Sequence, residues 1–492
     1  MRKMPIFYGA VLLTGVNLLL RLVSTSFQVY LSARIGAEGI GLMQLVLSVS
    51  MLCMTAATAG IRTTTMYLTA GALGKKKPET LSHILRVCTV YSLVCSTAVA
   101  SGVYFLAPRI AQSWIGDGRT LDALRLAVCF LPVNCLCGVL TGYFTAAGRI
   151  GTLAAVEVAE QLCAMAVTMT ALVVWAGNDL GRACFSVVLG SCAGACLTLL
   201  CLFFLRKLPK IREKQPVCRD MLGIALPLAL ADDVKAGIST TENLMVPKRL
   251  ALFPGTGAPL AAFGTVCGMV FPVLMFPAAI LFSLAELLIP EMARCAAAGS
   301  QNRIEYLTKR GLRAAMLYGL CCGGLLYLLA EPLCGALYPN SQAAMYLRRF
   351  AVLAPMLYCD ALTDAMTKGL GQQTYCVRYN ILTSAMDVAF LYILLPKYGM
   401  AGYFASFLVT HAVNFFLSIR RLLKVTRVRL PFDLPALAVS SALLAVWGAD
   451  HFSGSLFRAI GFLGLLIPLL SLFSVISRED IRWIASLLRR KK

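Results

Sequence analysis

Apolar stretches of about 20 residues recur from one end of this 492-residue chain to the other, and only 14% of its residues are charged. A stretch of that length crosses the hydrocarbon core of a bilayer as an α-helix, because a helix satisfies its own backbone hydrogen bonds where no water is present. The sequence therefore predicts an all-α polytopic membrane protein with about fourteen transmembrane helices. The predicted helices lie at about residues 6–33, 42–70, 83–107, 124–147, 152–176, 183–205, 220–246, 260–290, 312–337, 350–370, 376–396, 401–419, 434–450 and 457–476.

The basic residues are distributed unequally between the two sides of the membrane. The chain carries a net charge of +22. With the N-terminus in the cytoplasm, 29 lysine and arginine residues fall on the cytoplasmic side and 11 on the opposite side. Cytoplasmic loops are enriched in Lys and Arg, so this distribution places both termini in the cytoplasm and explains the charge without a nucleic-acid partner. The first apolar run carries Asn17 and Arg21 and lacks a cleavage pattern, which predicts a retained helix rather than a signal peptide.

The distribution of motifs argues against metal and nucleotide chemistry. Nineteen cysteines lie singly along the predicted helices, and His83, His411 and His451 are scattered, so we expect no metal centre. The segment TAGALGKK at 69–76 lacks the first Gly and the final Ser or Thr of a phosphate-binding loop. We therefore expect no enzyme activity, no cofactor and no ATP hydrolysis by the chain itself. The energy for transport would come from a proton or sodium gradient, from the substrate, or from a partner.

An internal repeat divides the chain. Pro132 and Gly148 are separated by the same 16 residues as Pro355 and Gly371, at a displacement of 223. A second pair of matching segments, at the start of the second and eighth predicted helices, gives a displacement of 227. Both predicted bundles begin on the same side of the membrane, so the repeats are parallel. The predicted organisation is an N-terminal six-helix lobe at 1–205, a basic cytoplasmic linker at 206–219, a C-terminal six-helix lobe at 220–423, two additional helices at 424–477, and a basic amphipathic cytoplasmic tail at 478–492.

Several predicted helices carry polar residues along one face, at the spacing of three or four that a helical face requires. A charge at the bilayer centre costs about 2.5–3.5 kcal/mol on insertion scales, so such residues need one another, water or a substrate. The candidates of the first lobe are Asn17, Arg21 and Gln28 in the first helix, Arg62 in the second and Asn134 in the fourth. The candidates of the second lobe are Asp232, Asp233, Lys235 and Glu242 in the seventh helix, Asp360, Asp364 and Lys368 in the tenth, and Asp387 in the eleventh.

Two interpretations of these charges stay open. They line a water-filled cavity between the lobes, or they form structural ion pairs, such as Asp232 with Lys235 and Asp364 with Lys368. Arg21 and Arg62 have no acidic neighbour on their own helices, which favours a functional role or pairing across helices. The glutamates at 157 and 160 lie near the start of the fifth helix, where we expect them to be solvated at the interface.

Two segments resemble the stage V sporulation protein B group of polysaccharide-export proteins, part of the multidrug/oligosaccharidyl-lipid/polysaccharide exporter superfamily. They are SARIGAEGIGLMQL at 32–45, and ENLMVPKRL at 242–250 with the following FGTVCGMVFPVLMFPAAILFSLAELLIPEMA at 263–293. The resemblance covers most of the first twelve predicted helices. One position departs from it, because this chain has Gly60-Ile61-Arg62 where relatives tend to have Gly-Ile-Pro.

The resemblance implies a fourteen-helix fold, with two six-helix lobes around a central cavity, in the bacterial cytoplasmic membrane. It implies alternating-access transfer of an undecaprenyl-pyrophosphate-linked cell-wall or polysaccharide precursor from the inner to the outer leaflet, in growth or in sporulation. The expected partners are the lipid-linked glycan, the bilayer and cell-wall synthesis enzymes. The lipid tail would remain in lipid between the lobes.

The chemistry of such a substrate suggests a role for each polar residue. A pyrophosphate needs cationic groups on its path, because an uncompensated phosphate in hydrocarbon is prohibitive. Arginine presents a fork of donors that suits phosphate, so Arg21 and Arg62 are the primary candidates, with Lys235 and Lys368 as secondary ones. The other expected roles are hydrogen bonds to sugars from Asn17, Gln28 and Asn134, and stabilisation of the cations or binding of a coupling ion by Asp232, Asp233, Glu242, Asp360, Asp364 and Asp387.

Two other functions stay open. A cation-coupled multidrug antiporter of the same superfamily needs a desolvated carboxylate, and the resemblance would place one in the first helix. Arg21 in that helix favours an anionic substrate instead, while the carboxylates of the second lobe keep the antiporter open. A noncatalytic scaffold for cell-wall synthesis would use the polar stripes as contacts between helices.

Overall fold

The computed structural model describes residues 6–58, 60–74, 80–177, 179–206, 217–255, 257–338, 340–428 and 433–473. These residues form helices joined by turns and short loops, with no β-strand among them, which confirms the all-α class. Seven of the described helices are long and apolar enough to cross a membrane, or up to nine spans if each of two bent pairs counts as one. The number fourteen stays a prediction.

The first compact unit comprises Met1–Gly264 together with Leu391–Pro396. Its helices are α1 (Ile6–Thr58), α2 (Ile61–Gly74), α3 (Leu81–Arg109), α4 (Leu121–Cys129), α5 (Leu131–Ala146), α6 (Ile150–Ala171), α7 (Leu180–Leu205), α8 (Val217–Leu250) and α9 (Pro259–Gly264). Segments of π-helix at Ile110–Ile115 and Leu172–Ala176 extend α3 and α6.

The second compact unit comprises Thr265–Phe390 and Lys397–Lys492. It begins with a π-helical segment, Thr265–Val270. Its helices are α10 (Phe271–Met275), α11 (Ala278–Ala297), α12 (Gln301–Leu328), α13 (Ala330–Leu337), α14 (Ser341–Ala351), α15 (Ala354–Gly369), α16 (Gln373–Thr426, apart from the six residues assigned to the first unit), α17 (Asp433–Asp450) and α18 (Ser455–Leu472).

The boundary between the compact units differs from the predicted division between lobes. We expected it in the linker at 206–219, of which 207–216 lie outside the described residues, but α8 belongs with the first unit. Two hydrogen bonds between α8 and Ser48 of α1 agree with this assignment. Its carbonyl accepts a hydrogen bond from the Thr240 hydroxyl at 3.0 Å, and its hydroxyl accepts one from the Asn243 amide at 3.0 Å. The predicted tail at 478–492 also lies outside the described residues.

The two longest helices each contain a glycine with non-helical backbone angles. α1 turns at Gly36 (φ 69°, ψ 179°) and α16 turns at Gly399 (φ 56°, ψ −137°). Positive φ carries no steric penalty for glycine, so each position can end one helical segment and begin the next. Gly36 lies between the first and second predicted helices, and Gly399 lies between the eleventh and twelfth. Each long element is therefore two helical segments joined at the expected place.

Local structure recurs at the displacement of the predicted repeat. Asp117 and Asn340, which are 223 residues apart, each use a side-chain oxygen to accept a hydrogen bond from the amide two residues later. The matching prolines each open a helix, α5 and α15. Gly148 and Gly371 follow these helices with φ 70° and 75°. These features support the duplication, whose lobe boundaries stay a prediction.

Candidate functional site

A helix begins next to Arg62, in the middle of a predicted span. The sequence predicts one continuous helix at 42–70, but α1 ends at Thr58 and α2 starts at Ile61, with Gly60 at φ 68°. The continuous helix is therefore wrong, because the positive φ of Gly60 breaks it. Arg62 lies in the first turn of α2, where the backbone dipole presents its positive end.

The side chain of Arg62 is exposed and interacts electrostatically with Glu157 of α6. Pairing across helices was one of the two outcomes expected for this arginine. One turn later on α6, the half-buried carboxylate of Glu160 accepts a hydrogen bond from the Thr198 hydroxyl of α7 at 2.6 Å. The solvated interfacial position that we expected for Glu160 stays a prediction. The first unit thus holds an arginine and two carboxylates on neighbouring helices.

The polar line of the first predicted helix is partly described. Arg21 and Gln28 are half-buried on α1, and each interacts with a neighbouring group. Between them, the Ser24 hydroxyl accepts a hydrogen bond from the Gln161 amide of α6 at 3.3 Å. Asn134 is half-buried on α5. The side chain of Asn17 lies outside the described part of the chain.

The charged stretch of α8 does not contain the ion pair that the sequence left open. Asp232 and Lys235 are exposed and form no salt bridge with each other, so a structural pair between them is wrong. Asp233 lies in the electrostatic field of Asp232, and its Oδ1 atom is buried without a hydrogen-bond partner. Glu242 interacts with a neighbouring group. Asp232 and Lys235 can therefore take other partners.

Asp360 of α15 is hydrogen-bonded to Asn414 of α16, and each of the two is followed four residues later by another polar residue, Asp364 and Ser418. The Asn414 amide donates to Asp360 Oδ2 at 3.0 Å, and Lys368 Nζ lies 3.4 Å from Asp364 Oδ2. The ion pair between Asp364 and Lys368 that the four-residue spacing allowed is thus present, and whether its role is structural stays open. Four oxygen atoms of this group are buried without a hydrogen-bond partner: Asp360 Oδ1, Asp364 Oδ1, Asn414 Oδ1 and Ser418 Oγ. We call these four residues the α15–α16 oxygen cluster.

Asp387 lies apart from that cluster, inside α16. Its side chain is 6% exposed, and its Oδ1 atom accepts hydrogen bonds from the Ser406 hydroxyl at 2.5 Å and the Thr410 hydroxyl at 3.2 Å. The two donors belong to the segment after Gly399, so the carboxylate joins the two halves of the kinked helix. This contact explains why a buried acid is tolerated there.

The composition of these sites argues for light cations rather than a transition metal. In the described part of the chain, no group of three or more His, Cys, Asp or Glu side chains is placed to hold a metal ion. The α15–α16 oxygen cluster supplies only two carboxylates, with an amide and a hydroxyl oxygen. Such hard oxygen donors suit a small hard cation or a proton.

An apolar groove of about 860 Å³ runs through the second unit between α12, α15, α16 and α17. Lys309 and Arg313 of α12 line one end, and Tyr327 of the same helix lines the other. Tyr327 follows Lys309 by 18 residues, or about 27 Å of helix, close to the ~30 Å hydrocarbon thickness of a bilayer. Sequence reasoning missed this groove, because a gap between apolar helices leaves no periodic signal.

Comparison with known proteins supports the resemblance found in the sequence. A family model described as MatE matches residues 14–170. Stage V sporulation protein B of Bacillus subtilis (strain 168) is 22% identical over 416 residues, which cover 82% of this chain and 80% of that protein. The resemblance recognised in residues 32–45 and 242–293 is thereby confirmed.

Two solved transporter structures share the fold. A structure of the lipid II flippase MurJ in an inward closed conformation gives a TM-score of 0.68 at 11% identity, over 96% of this chain and 99% of that one. An inward-facing multidrug resistance MATE family transporter gives 0.65 at 14% identity, over 88% and 99%. At these identities the likeness concerns the fold alone. It shows that this chain has the helical architecture of these transporters.

Some residues that matter in this chain were not among the predicted candidates. Asn414 is the cross-helix hydrogen-bond partner of Asp360, and Glu157 lies in the electrostatic field of Arg62. One signal was available for Asn414, because Asn414 and Ser418 are four residues apart in the twelfth predicted helix, the same spacing as Asp360 and Asp364. Nothing in the sequence indicates which helices are neighbours, so the pairing itself could not be read.

Replacing Ser406 with alanine is expected to lower stability by about 1–3 kcal/mol, because Asp387 stays buried after it loses a donor. Thermal unfolding of the purified protein in detergent measures the effect. Ser418→Ala is the matched control, since Ser418 is a buried serine in the same half of α16 whose hydroxyl has no partner. It should leave the unfolding temperature unchanged or raise it. Equal losses in the two variants would contradict the proposed role of the Asp387 contact.

Proposed function

We propose that this protein is an exporter-superfamily flippase, which moves an undecaprenyl-pyrophosphate-linked cell-wall or polysaccharide precursor from the inner to the outer leaflet by alternating access. The observation that carries the proposal is the apolar groove of the second unit with basic residues at one end. The relatives agree with it, since one is named for sporulation and another as a lipid II flippase.

The shape of the groove distinguishes a long lipid substrate from a small drug. A compact drug fits a closed pocket, whereas a polyprenyl chain needs an extended apolar path along the membrane normal. The groove extends for most of the hydrocarbon thickness, and its wall is almost entirely apolar. The tail then occupies a protein-lined path within the second unit, in place of the lipid between the lobes that we expected from the sequence.

The head group is assigned to the polar residues of the predicted cavity. Arg62 combines a guanidinium with the positive end of α2, and both favour a phosphate. Glu157 lies in the electrostatic field of Arg62, so a bound phosphate would compete with this carboxylate for the guanidinium. Arg21, Lys235 and Lys368 are further cationic contacts in the proposal. Sugar contacts are assigned to Asn17, Gln28 and Asn134.

The α15–α16 oxygen cluster is proposed to bind the coupling cation, a sodium ion or a proton. An unpartnered buried oxygen costs free energy, and four of them lie on two helices that the Asp360–Asn414 hydrogen bond joins. A cation would satisfy them together. Lys368 Nζ already pairs with Asp364 Oδ2. This contact can be kept or broken when the cation binds. Asp232, Asp233 and Glu242 of α8 and the buried Asp387 are assigned to stabilisation of charge.

A cation-coupled multidrug antiporter is the second candidate, and the same oxygen cluster favours it. What speaks against it is Arg21 in the first helix, at the place where the antiporter would need an acid. The third candidate, a scaffold without transport, is less well supported. Unpartnered buried oxygens lower the stability of a protein, and they add no contact through which a scaffold could bind another protein.

The double variant Arg21→Ala/Arg62→Ala is expected to lose translocation of a labelled undecaprenyl-pyrophosphate-sugar, because the phosphates lose their cationic contacts. Leaflet-resolved accessibility of the label in proteoliposomes measures the rate. Arg182→Ala is the control, since this exposed arginine of the first unit interacts with residues near it in the chain, the Asp179 carboxylate and the Trp175 ring. It should transport at the wild-type rate. Absence of transport by the wild type, under proton and sodium gradients, would reject the flippase.

Filling the groove is expected to slow long-chain substrates selectively. Val439→Trp places an indole in the groove wall, so translocation of an undecaprenyl-linked sugar should fall at least about tenfold, the effect of about 1.4 kcal/mol. The same sugar on a short prenyl chain should move at the wild-type rate. Leu444→Trp is the matched control, because Leu444 is an exposed residue of α17 outside the groove lining. Equal transport of both chain lengths by Val439→Trp would show that the lipid tail does not occupy the groove.

Cation binding at the oxygen cluster is expected to raise the unfolding temperature, since a ligand that binds only the folded state stabilises it. Wild type should respond to added sodium, with choline as the ionic-strength control, or to a lower pH if the cation is a proton. Asp360→Asn/Asp364→Asn should respond to neither. Asp179→Asn, which changes an exposed acid of the first unit, should respond like wild type. A response retained in the double variant would place the cation elsewhere.

A further inference from the structure

A second cavity continues from one end of the apolar groove. It measures about 370 Å³ and is lined by residues of α12 and α17 and by His451, which follows α17. Three of its lining residues, Tyr327, Leu443 and Val446, also line the groove. The two spaces therefore share a wall at the end of the groove opposite Lys309 and Arg313. The distribution of basic residues predicts that this end is on the outer side of the membrane.

The lining of this cavity changes from apolar to mixed. Trp447, Asp450 and His451 contribute an indole, a carboxylate and an imidazole to one wall. Trp447 is 69% exposed, and its ring meets the ring of His451 edge to face at 4.9 Å. His451 Nδ1 is hydrogen-bonded to the Trp447 carbonyl at 2.9 Å, so the Nε2 atom can bind another partner. Asp450 lies 3.7 Å from Arg458, a half-exposed pair that can admit further donors.

Contacts of Arg348 hold Tyr327, a lining residue of both spaces, in place. The Arg348 guanidinium lies 5.3 Å from the centre of the Tyr327 ring, and its Nη1 atom is 3.5 Å from Glu331. Arg348 Nε also approaches the Tyr327 carbonyl at 3.4 Å. These contacts hold the tyrosine in place at the junction of the groove and the cavity. The cavity thus has two aromatic rings and a few polar groups, the usual composition of a small-molecule site.

We infer that this cavity, lined by Tyr327, Trp447, Asp450 and His451, binds a pyranose ring of the glycan as it emerges on the outer side. A pyranose has an apolar face of C–H groups, which packs against an indole or phenol ring, and hydroxyls around its edge. A carboxylate accepts hydrogen bonds from two such hydroxyls, and an imidazole can donate or accept one more. An isolated tryptophan at a membrane interface would need none of these neighbours.

The inference rests on the proposed function, because it takes the groove as the path of the lipid tail. With the tail in the groove, the shared wall places the sugar next to the end of the tail. The cavity then holds the glycan outside and disfavours its return. It gives the end of α17 a role in the direction of transport.

Binding of soluble sugars tests the inference without a lipid tail or a gradient. Chitotriose, maltotriose and mannotriose are titrated into the full chain in lipid nanodiscs, and binding is followed by isothermal calorimetry. We expect saturable binding of at least one of them. Trp447→Ala should weaken it by about tenfold, the loss of one aromatic packing contact, and Asp450→Asn by several fold, while Trp447→Phe should restore most of it.

Trp175→Ala is the matched control, since Trp175 is an exposed tryptophan of the first unit, also at the end of a helix that the charge distribution places outside. It should bind sugar like wild type, and all variants should keep the wild-type unfolding temperature. Absence of binding for all three sugars, or wild-type binding by Trp447→Ala, would overturn the inference. Translocation of a lipid-linked sugar by a protein that binds no soluble sugar would reject the sugar site in the cavity and leave the proposed flippase standing. Sugar binding without translocation would reject the flippase.

Discussion

Hydrocarbon contains no water, so every polar group that enters it must find its partner within the protein. The backbone meets this constraint through helices. Many buried Ser and Thr side chains meet it by donating to a carbonyl three or four residues earlier, as Thr363 and Thr367 do. The buried Asp387 meets it by accepting from Ser406 and Thr410 beyond the turn at Gly399. The exceptions stand out against that rule. Arg62 sits at the start of a helix, and the α15–α16 oxygen cluster keeps unsatisfied atoms. Such places are where a substrate or an ion has the most interaction free energy to gain.

The duplicated scaffold carries different chemistry at corresponding positions. A displacement of 223 relates Cys137 of α5 to Asp360 of α15. The Cys137 thiol contacts the Ala195 carbonyl at 3.3 Å, whereas Asp360 accepts from the Asn414 side chain at 3.0 Å. A thiol against a carbonyl is a packing contact, but a carboxylate against an amide is ionisable. The repeat thus provides two similar frameworks, of which the second carries the buried acids.

The all-α class and the turns at Gly36 and Gly399 could be predicted, because they follow from the length of apolar runs and from the short polar segments between them. The break at Gly60 could not, since the apolar run continues through it and membrane helices tolerate glycine. The sequence also could not show that Glu157 lies near Arg62 or that Asn414 is hydrogen-bonded to Asp360. Helical spacing describes one helix at a time, whereas these contacts and the groove depend on which helices become neighbours.

The charged face of α8 has a consequence for biogenesis. Its sequence includes Asp232, Asp233, Lys235 and Glu242, and each charge raises the free energy of insertion. A neighbour that offers polar contacts lowers the cost of inserting this helix from the translocon. Ser48 accepts hydrogen bonds from Thr240 and Asn243, and it belongs to α1, a helix that is synthesised well before α8. The order of the helices in the gene thus delivers the acceptor to the membrane before the donors that need it.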